Sequence, residues 1–260
     1  MSIEIDFAGR CAIVTGGARG VGKGITERFL AAGADVVICG RSQPEALPES
    51  DGRQPVFVRA DVREVEEIDA LVTQTEERFG RVDVLVNNAG GSPAADSATV
   101  SPRFNEAIVR LNLIAPMNLA QRVNEVMQQQ QEGGVIINIA SVSGIRPTPG
   151  TLAYGAAKAG LLSITQTLAV EWAPRVRVVA VTSGMIRTEQ WELHYGGEGE
   201  GAIAGETVPL GRLGEPRDVG EACVFLASPL ASYVSGSSLL VHGGGEKPAY
   251  LEAVEEVDAS

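Results

Sequence analysis

The chain has 260 residues, 44% of them hydrophobic, enough for one sizeable core or at most two small ones. Its formal net charge of −12 argues against a surface for nucleic acid or anionic membrane. No apolar run approaches the roughly 18 residues that a spanning helix needs. The cysteines Cys11, Cys39 and Cys223 lie far apart and read as small core hydrophobes in a reducing compartment, not as a disulfide framework or a metal site. Residues 1–6 show no apolar stretch of a secretory signal, so the expectation is a soluble, cytoplasmic protein.

Short β-branched runs at 11–15, 35–39, 56–59, 82–86, 135–139, 176–181 and 238–241 alternate with helical patterns near 21–32, 64–79, 102–130, 152–173 and 216–227. The run Val82-Asp83-Val84-Leu85-Val86 lacks strict alternation, as strands covered on both faces do. This order predicts a single α/β domain over 1–245: a Rossmann-type, doubly wound parallel sheet with helices on both faces. Residues 187–207 carry Gly196, Gly197, Gly199, Gly201 and Gly205 among acids and the aromatics Trp191 and Tyr195. Such a stretch reads as a substrate lid, with a plain surface loop as the alternative. The acidic tail 246–260 is expected to fray.

The first strand runs into Thr15-Gly16-Gly17-Ala18-Arg19-Gly20-Val21-Gly22-Lys23-Gly24, which opens a helix. Backbone N–H groups and a positive helix end at that place can dock a phosphate. G-x-G-x-x-G is not matched here. Gly17-x-x-x-x-Gly22-Lys23 is almost a Walker A loop, but Gly24 stands where the magnesium-ligating hydroxyl belongs. Thr-Gly-x-x-x-Gly-x-Gly fits throughout. A second match, Gly199-x-Gly201-x-x-Ala204, follows no strand and is flanked by Glu198, Glu200 and Glu206, which would repel a pyrophosphate.

Tyr154 alone of the four tyrosines has a lysine four residues on, Lys158, within a helical pattern. That spacing puts both on one helix face, where an ammonium favours the phenolate and tunes the tyrosine for proton transfer. Ser141 lies at the end of the fifth strand, where open α/β sheets hold ligands, and its hydroxyl could steady a carbonyl oxygen. Ser143 is its local competitor.

With the glycine loop from Thr15 to Gly22 and these residues, the chain resembles the short-chain dehydrogenase/reductase family in its classical branch, from about residue 8 to 245. The resemblance implies a catalytic tetrad of Asn112, Ser141, Tyr154 and Lys158, with Asn112 holding a proton-relay water; on the residues alone, Asn112 reads equally as a buried structural amide. It also implies that Thr15, Gly16, Arg19, Gly20, Val21 and Gly22 hold the cofactor. Asn88, Ala89 and Gly90 of Asn87-Asn88-Ala89-Gly90 would lie on its adenosine side, and Asp61 and Val62 at its adenine. Asp61 could also cap the helix beginning near Arg63. Gly184, Ile186 and Thr188 fall at the nicotinamide end, and Tyr154 and Lys158 would touch the nicotinamide ribose. Pro209-Leu210-Gly211-Arg212-Leu213-Gly214-Glu215-Pro216 is similar to the 3-oxoacyl-thioester (3-oxoacyl-ACP) reductase subgroup, and Ser232-Tyr233-Val234-Ser235-Gly236 also fits the classical branch.

NAD sites use an Asp or Glu at the end of the second strand to hold the ribose 2′-hydroxyl. Here that strand ends Cys39-Gly40-Arg41-Ser42, so Arg41, with Ser42 and Arg19, is expected to grip a 2′-phosphate. NADP (NADPH) is the preferred cofactor and NAD the alternative. The expected reaction passes a hydride between the nicotinamide and a carbonyl or secondary alcohol, with a 3-oxoacyl thioester as the first substrate class and a cyclic or steroid-like alcohol or ketone as the second. A non-catalytic NADP-binding regulator on the same fold is the alternative of another kind. The resemblance implies a homo-oligomer, tetramer or dimer, and no metal, nucleic acid or membrane partner is expected. The chain departs from its relatives at Ser183, where proline is usual, at Val179 in place of asparagine, in a short Pro174-Arg175-Val176 connection, and at His242 in place of aspartate.

Overall fold

Seven strands form one parallel sheet: β1 (Cys11–Thr15), β2 (Asp35–Gly40), β3 (Val56–Arg59), β4 (Val84–Asn87), β5 (Gly134–Ser141), β6 (Val176–Ser183) and β7 (Ser238–Val241). Their order is β3-β2-β1-β4-β5-β6-β7. The computed structural model describes residues 5–189 and 207–247. Most of the expected lid, with Trp191, Leu193, His194 and Tyr195, lies outside these residues, as does the tail from 248 onward. The chain winds outward from β1 to β3, then restarts on the other side of β1 with β4. Between β1 and β4 lies the switch point at which such sheets open a crevice for ligands.

Helices cover both faces, as the apolar strands require. Ile68, Leu71 and Val72 of α2 (Val65–Phe79) and Leu119, Val123 and Met127 of α4 (Ala115–Gln129) pack on one face with Ile13 and Ile136. Ile25, Phe29 and Leu30 of α1 (Gly20–Ala31) pack on the other with Ala12, Val14 and Ile38. The cysteines belong to these cores: all three are buried and free, and burial pushes the Cys11 and Cys39 thiols up to about 12.

Local signals set several helix ends. Ser101 caps α3 (Pro102–Val109) by accepting the Phe104 N–H at 3.2 Å. The helix Pro216–Ala227, here α6, opens on a proline with a reciprocal Glu215/Asp218 capping box, and α2 stops at the left-handed Gly80. The single helix expected over 102–130 is interrupted. Between α3 and α4 the chain makes a wide π turn, Arg110–Ile114, in which the Ala115 N–H reaches back to the Arg110 carbonyl. Pro116 follows and has no N–H, so an ordinary i→i−4 bond onto the Asn112 carbonyl lacks its donor. The remaining helix, α5 (Leu152–Glu171), lies over the end of β5.

Candidate active site

The glycine loop is shaped by close backbone approach. A Cβ at Gly22 would lie 2.2 Å from the Gly16 carbonyl oxygen, and Gly16 itself has φ +63°, a left-handed conformation that suits glycine. A Cβ at Gly24 would meet the Pro216 backbone at 2.4 Å. The residue that spoils the Walker A pattern is therefore the contact point between α1 and α6. Thr15 fastens the loop to the end of β4: its hydroxyl accepts the Asn88 and Ala89 N–H groups at 2.9 Å, while the Asn88 side chain donates to the Thr15 carbonyl at 2.8 Å.

The helix start behind this loop is open to an anion. Arg19 is extended and exposed and caps nothing with its side chain. The Gly20 N–H instead donates to Glu189, with Oε2 at 3.0 Å. A carboxylate from the far end of the chain thus sits where the sequence places a cofactor phosphate, and the site accepts negative charge as a dinucleotide requires. Thr188 approaches the same loop, its Cγ2 3.5 Å from a Cβ built on Gly20. Glu189 carries no motif signal, and its role was invisible in the sequence.

At the end of β2, Gly40 leaves open space: a Cβ there would meet only Phe57 at 3.7 Å and the Ser42 carbonyl at 3.9 Å. Arg41 and Ser42 are exposed beside it. Asp61 is not a helix cap. The cap position of α2 is Glu64, and Asp61 accepts the Arg63 N–H at 3.1 Å and binds the Arg63 guanidinium through both carboxylate oxygens. This pairing holds the Asp61 carboxyl below the usual carboxylate range. Val62 is buried next to it.

Ser141, Tyr154 and Lys158 meet because the turn after β5 packs directly on α5. A Cβ at Gly144 would be 2.8 Å from the Lys158 carbonyl carbon, and one at Gly155 would be 2.8 Å from the Ser143 carbonyl oxygen. Ser141 is the last residue of β5; its oxygen accepts the Ser143 N–H at 3.2 Å, leaving its own hydrogen to donate. The Ser143 hydroxyl is engaged by Thr148 at 3.2 Å. Lys158 is buried, 4% exposed, and donates to the Ile139 carbonyl at 2.7 Å. Burial lowers this ammonium to about 8. Its nitrogen lies 5.5 Å from the centre of the half-buried Tyr154 ring.

Asn112 sits in the π turn with no exposure. Its Oδ1 accepts the Gly91 N–H at 2.9 Å, and its Nδ2 donates to the Gly91 and Ile108 carbonyls at 3.0 and 2.9 Å. The side chain therefore holds the turn after β4. Gly90 lies between it and the lysine: a Cβ there would stand 2.6 Å from Asn112 Oδ1 and 3.4 Å from Lys158 Nζ. Below the site, Asn87 donates to Asn138, which donates to Thr165 on α5, a buried polar chain tying the sheet to that helix. Asn138 and Thr165 belong to no short motif, so no local pattern marks them.

The segment expected at the nicotinamide end is held by backbone. Gly184 N–H bonds the Val241 carbonyl at 2.9 Å, and Ile186 pairs with Gly214 of the stretch before α6. His242 packs against Gly184, where a Cβ would be 2.6 Å from its own, which suits a structural role. Among the described residues no cluster of three or more His, Cys, Asp or Glu could hold a metal ion, and no helix is long and apolar enough to cross a membrane.

An anion cradle on a parallel sheet, a buried lysine behind a tyrosine, and a strand-end serine together define a nicotinamide-dependent oxidoreductase. A family model described as enoyl-(acyl carrier protein) reductase matches residues 16–246. The chain is 36% identical over 242 residues to a 3alpha-hydroxysteroid dehydrogenase of Mediterraneibacter gnavus, covering 90% of this chain and 96% of that one. It is 35% identical over 246 residues to the 3-oxoacyl-[acyl-carrier-protein] reductase FabG of Thermotoga maritima, covering 91% and 97%. It spans 43% of the length of a longer Sinorhizobium fredii relative, an uncharacterized short-chain type dehydrogenase/reductase. A solved 7 alpha-hydroxysteroid dehydrogenase, complexed with NADH and 7-oxo glycochenodeoxycholic acid, superposes with a TM-score of 0.86 at 30% identity, covering 94% of this chain and 98% of that one. The chain belongs to the short-chain dehydrogenase/reductase family.

Proposed function

We propose that the protein is an NADP-dependent reductase or dehydrogenase of a carbonyl/secondary-alcohol pair. The observation that carries this reading is the meeting of Ser141, Tyr154 and a buried Lys158 at the C-terminal end of β5. When bound, the nicotinamide supplies or takes up the hydride. Ser141 donates its hydroxyl hydrogen to the substrate oxygen and orients it. Tyr154 gives that oxygen a proton in reduction and takes one from the alcohol in oxidation. The Lys158 ammonium stabilises the phenolate form and has N–H groups beyond the one on Ile139 to offer a ribose. Asn112 fixes the turn beside the lysine through its two bonds to Gly91, and the family resemblance gives it a water that would relay protons.

The preference for NADP rests on Gly40 and Arg41. The position of an NAD-type carboxylate is empty of side chain, and an exposed guanidinium follows it. The first substrate class is a 3-oxoacyl thioester, from the resemblance of residues 209–216 and the FabG relative. A cyclic or steroid-like alcohol or ketone is the second, favoured by the hydroxysteroid dehydrogenase relatives. A purely regulatory NADP-binding role leaves unexplained why a lysine should be buried beside Tyr154 at a cost in stability. The assembly we propose is a homo-oligomer, tetramer or dimer: Leu152 and Val170 on α5 and Leu230, Leu239 and Leu240 around the β7 edge are exposed apolar groups that a second copy would cover.

The test is NADPH and NADH oxidation against acyl-thioester, cyclic and aromatic ketones, with Tyr154→Phe as control. Turnover with NADPH, lost in the control while cofactor affinity stays, supports the reading. Near-wild-type turnover by Tyr154→Phe would sink the catalytic assignment, and a preference for NADH would sink the cofactor assignment.

A further inference from the structure

Arginines in this acidic chain are mostly ion-paired: Arg10, Arg53, Arg63, Arg81, Arg110 and Arg122 all meet carboxylates. Arg19, Arg41 and Arg59 meet none among the described residues. The first two were expected at the cofactor from sequence. Arg59, the last residue of β3, was not.

Register places Arg59 directly beside Gly40, because the two are partners in the parallel β2–β3 pairing. Paired residues project to the same face of a sheet. Gly40 contributes no side chain, so the space in front of the arginine stays open. The exposed Arg59 side chain turns toward the C-terminal edge of the sheet, and its Nε donates to the Arg41 carbonyl at 3.2 Å. That bond uses one of its five N–H donors and leaves the terminal Nη groups without a protein partner among the described residues. The nearby carboxylate that could quench it, Asp61, is taken on both oxygens by Arg63.

We infer that Arg59 is a further specificity-determining residue, a cation from β3 that joins Arg41 in binding the 2′-phosphate of NADP. The inference rests on the proposed NADP preference and extends it to a strand outside the glycine loop and the β2 end. A guanidinium held at one edge, with its fork free, suits a phosphate dianion better than a lysine would. A competing role is purely mechanical: Arg59 would only fasten the backbone after β2.

Calorimetric titration of the cofactor-free protein with ADP-ribose and 2′-phospho-ADP-ribose separates these roles without catalysis. For wild type, the 2′-phosphorylated ligand binds more tightly. In Arg59→Gln that preference falls about five- to tenfold while ADP-ribose affinity is unchanged. In Arg59→Lys most of the preference survives, which also covers the case in which the glutamine variant folds poorly. Equal weakening of both ligands in Arg59→Gln would reduce Arg59 to a backbone fastener and overturn the inference. An unchanged preference would overturn it too. If wild type itself shows no preference for the 2′-phosphate, the NADP reading fails first and this inference falls with it.

Discussion

Replacing Lys158 by methionine should abolish turnover and yet stabilise the cofactor-free protein. Burial lowers the lysine from 10.5 to about 8, so below pH 8 the folded state carries an ammonium that the unfolded chain would hold more comfortably. A shift of that size corresponds to about 3 kcal/mol of destabilisation at neutral pH. Methionine has a similar length and no charge, and it fills the space flexibly. Its one evident loss is the bond to the Ile139 carbonyl, which costs about 1 kcal/mol. The net gain is about 2 kcal/mol at pH 7, or about 4–8 °C in Tm for a chain of this size. The sign with pH follows from linkage. Because the folded pKa is below the unfolded one, wild-type stability rises as pH climbs from about 8 to about 10.5, and the penalty is gone above that range. The two proteins should therefore differ most at and below pH 7, and the difference should vanish somewhat below pH 10.5 and then reverse by up to about 1 kcal/mol. Thermal and urea unfolding at fixed protein concentration across pH 6.5–10.5 is the assay. A variant no more stable than wild type at pH 7, or a difference independent of pH, would refute the claim that the lysine is held charged against its desolvation.

Other outcomes follow from the same geometry. Gly40→Asp has room for its side chain, and its carboxylate should repel a 2′-phosphate and hold the ribose hydroxyls, lowering the NADPH-to-NADH ratio of kcat/KM by about 100-fold; an unmoved ratio would mean that the phosphate does not lie there. Glu189→Gln removes a charge that competes with the diphosphate at the Gly20 N–H, so ADP-ribose should bind about two- to fivefold more tightly by calorimetry; equal or weaker binding would count against that competition. Gly22→Ala forces a methyl group onto the Gly16 carbonyl and should destabilise the fold by about 1–3 kcal/mol in urea, with cofactor affinity lost as well. A variant as stable as wild type would show that the loop can yield.

What the sequence disclosed and what it hid divide along a physical line. Strands β1, β3 and β7 end where the apolar runs end, but β2, β4, β5 and β6 continue into Gly40, Asn87, Ser141 and Ser183. Hydrophobic patterning loses its hold there because these residues are small or polar: buried Asn87 spends its amide on Asn138 and the Pro116 carbonyl, and Ser141 stands at the candidate site. The 82–86 run likewise overstated its strand. Val82 and Asp83 are apolar and acidic neighbours whose N–H groups go to Gln130 and to the Cys11 carbonyl before the β4 pairing begins. Helical period carried 102–130 as one element because a single π turn adds only one residue to the spacing, and Pro116 was the local sign of the break. The glycine loop and the Tyr154–Lys158 pair were legible as local motifs, since each is a fixed spacing along one turn or one helix. Contacts between distant segments, such as Glu189 on Gly20, Arg59 on Arg41 and Asn138 on Thr165, left no local pattern to read.

The departures from ordinary folding rules gather where the chemistry would occur. The π turn holds Asn112, a lysine is buried without a carboxylate partner, and a helix start is left uncapped by its own side chains. Other parts of the chain are fully satisfied: α6 has a full capping box, Ser101 caps α3, and Asp83 is held by Arg81, Arg10 and the Cys11 N–H. The well-satisfied Asp83 cluster marks the opposite, N-terminal edge of β1 and β4, where no ligand crevice opens. The buried lysine and the π turn at Asn112 both lie at the crevice edge, and the proposed proton transfer gives each of them a use that core packing does not.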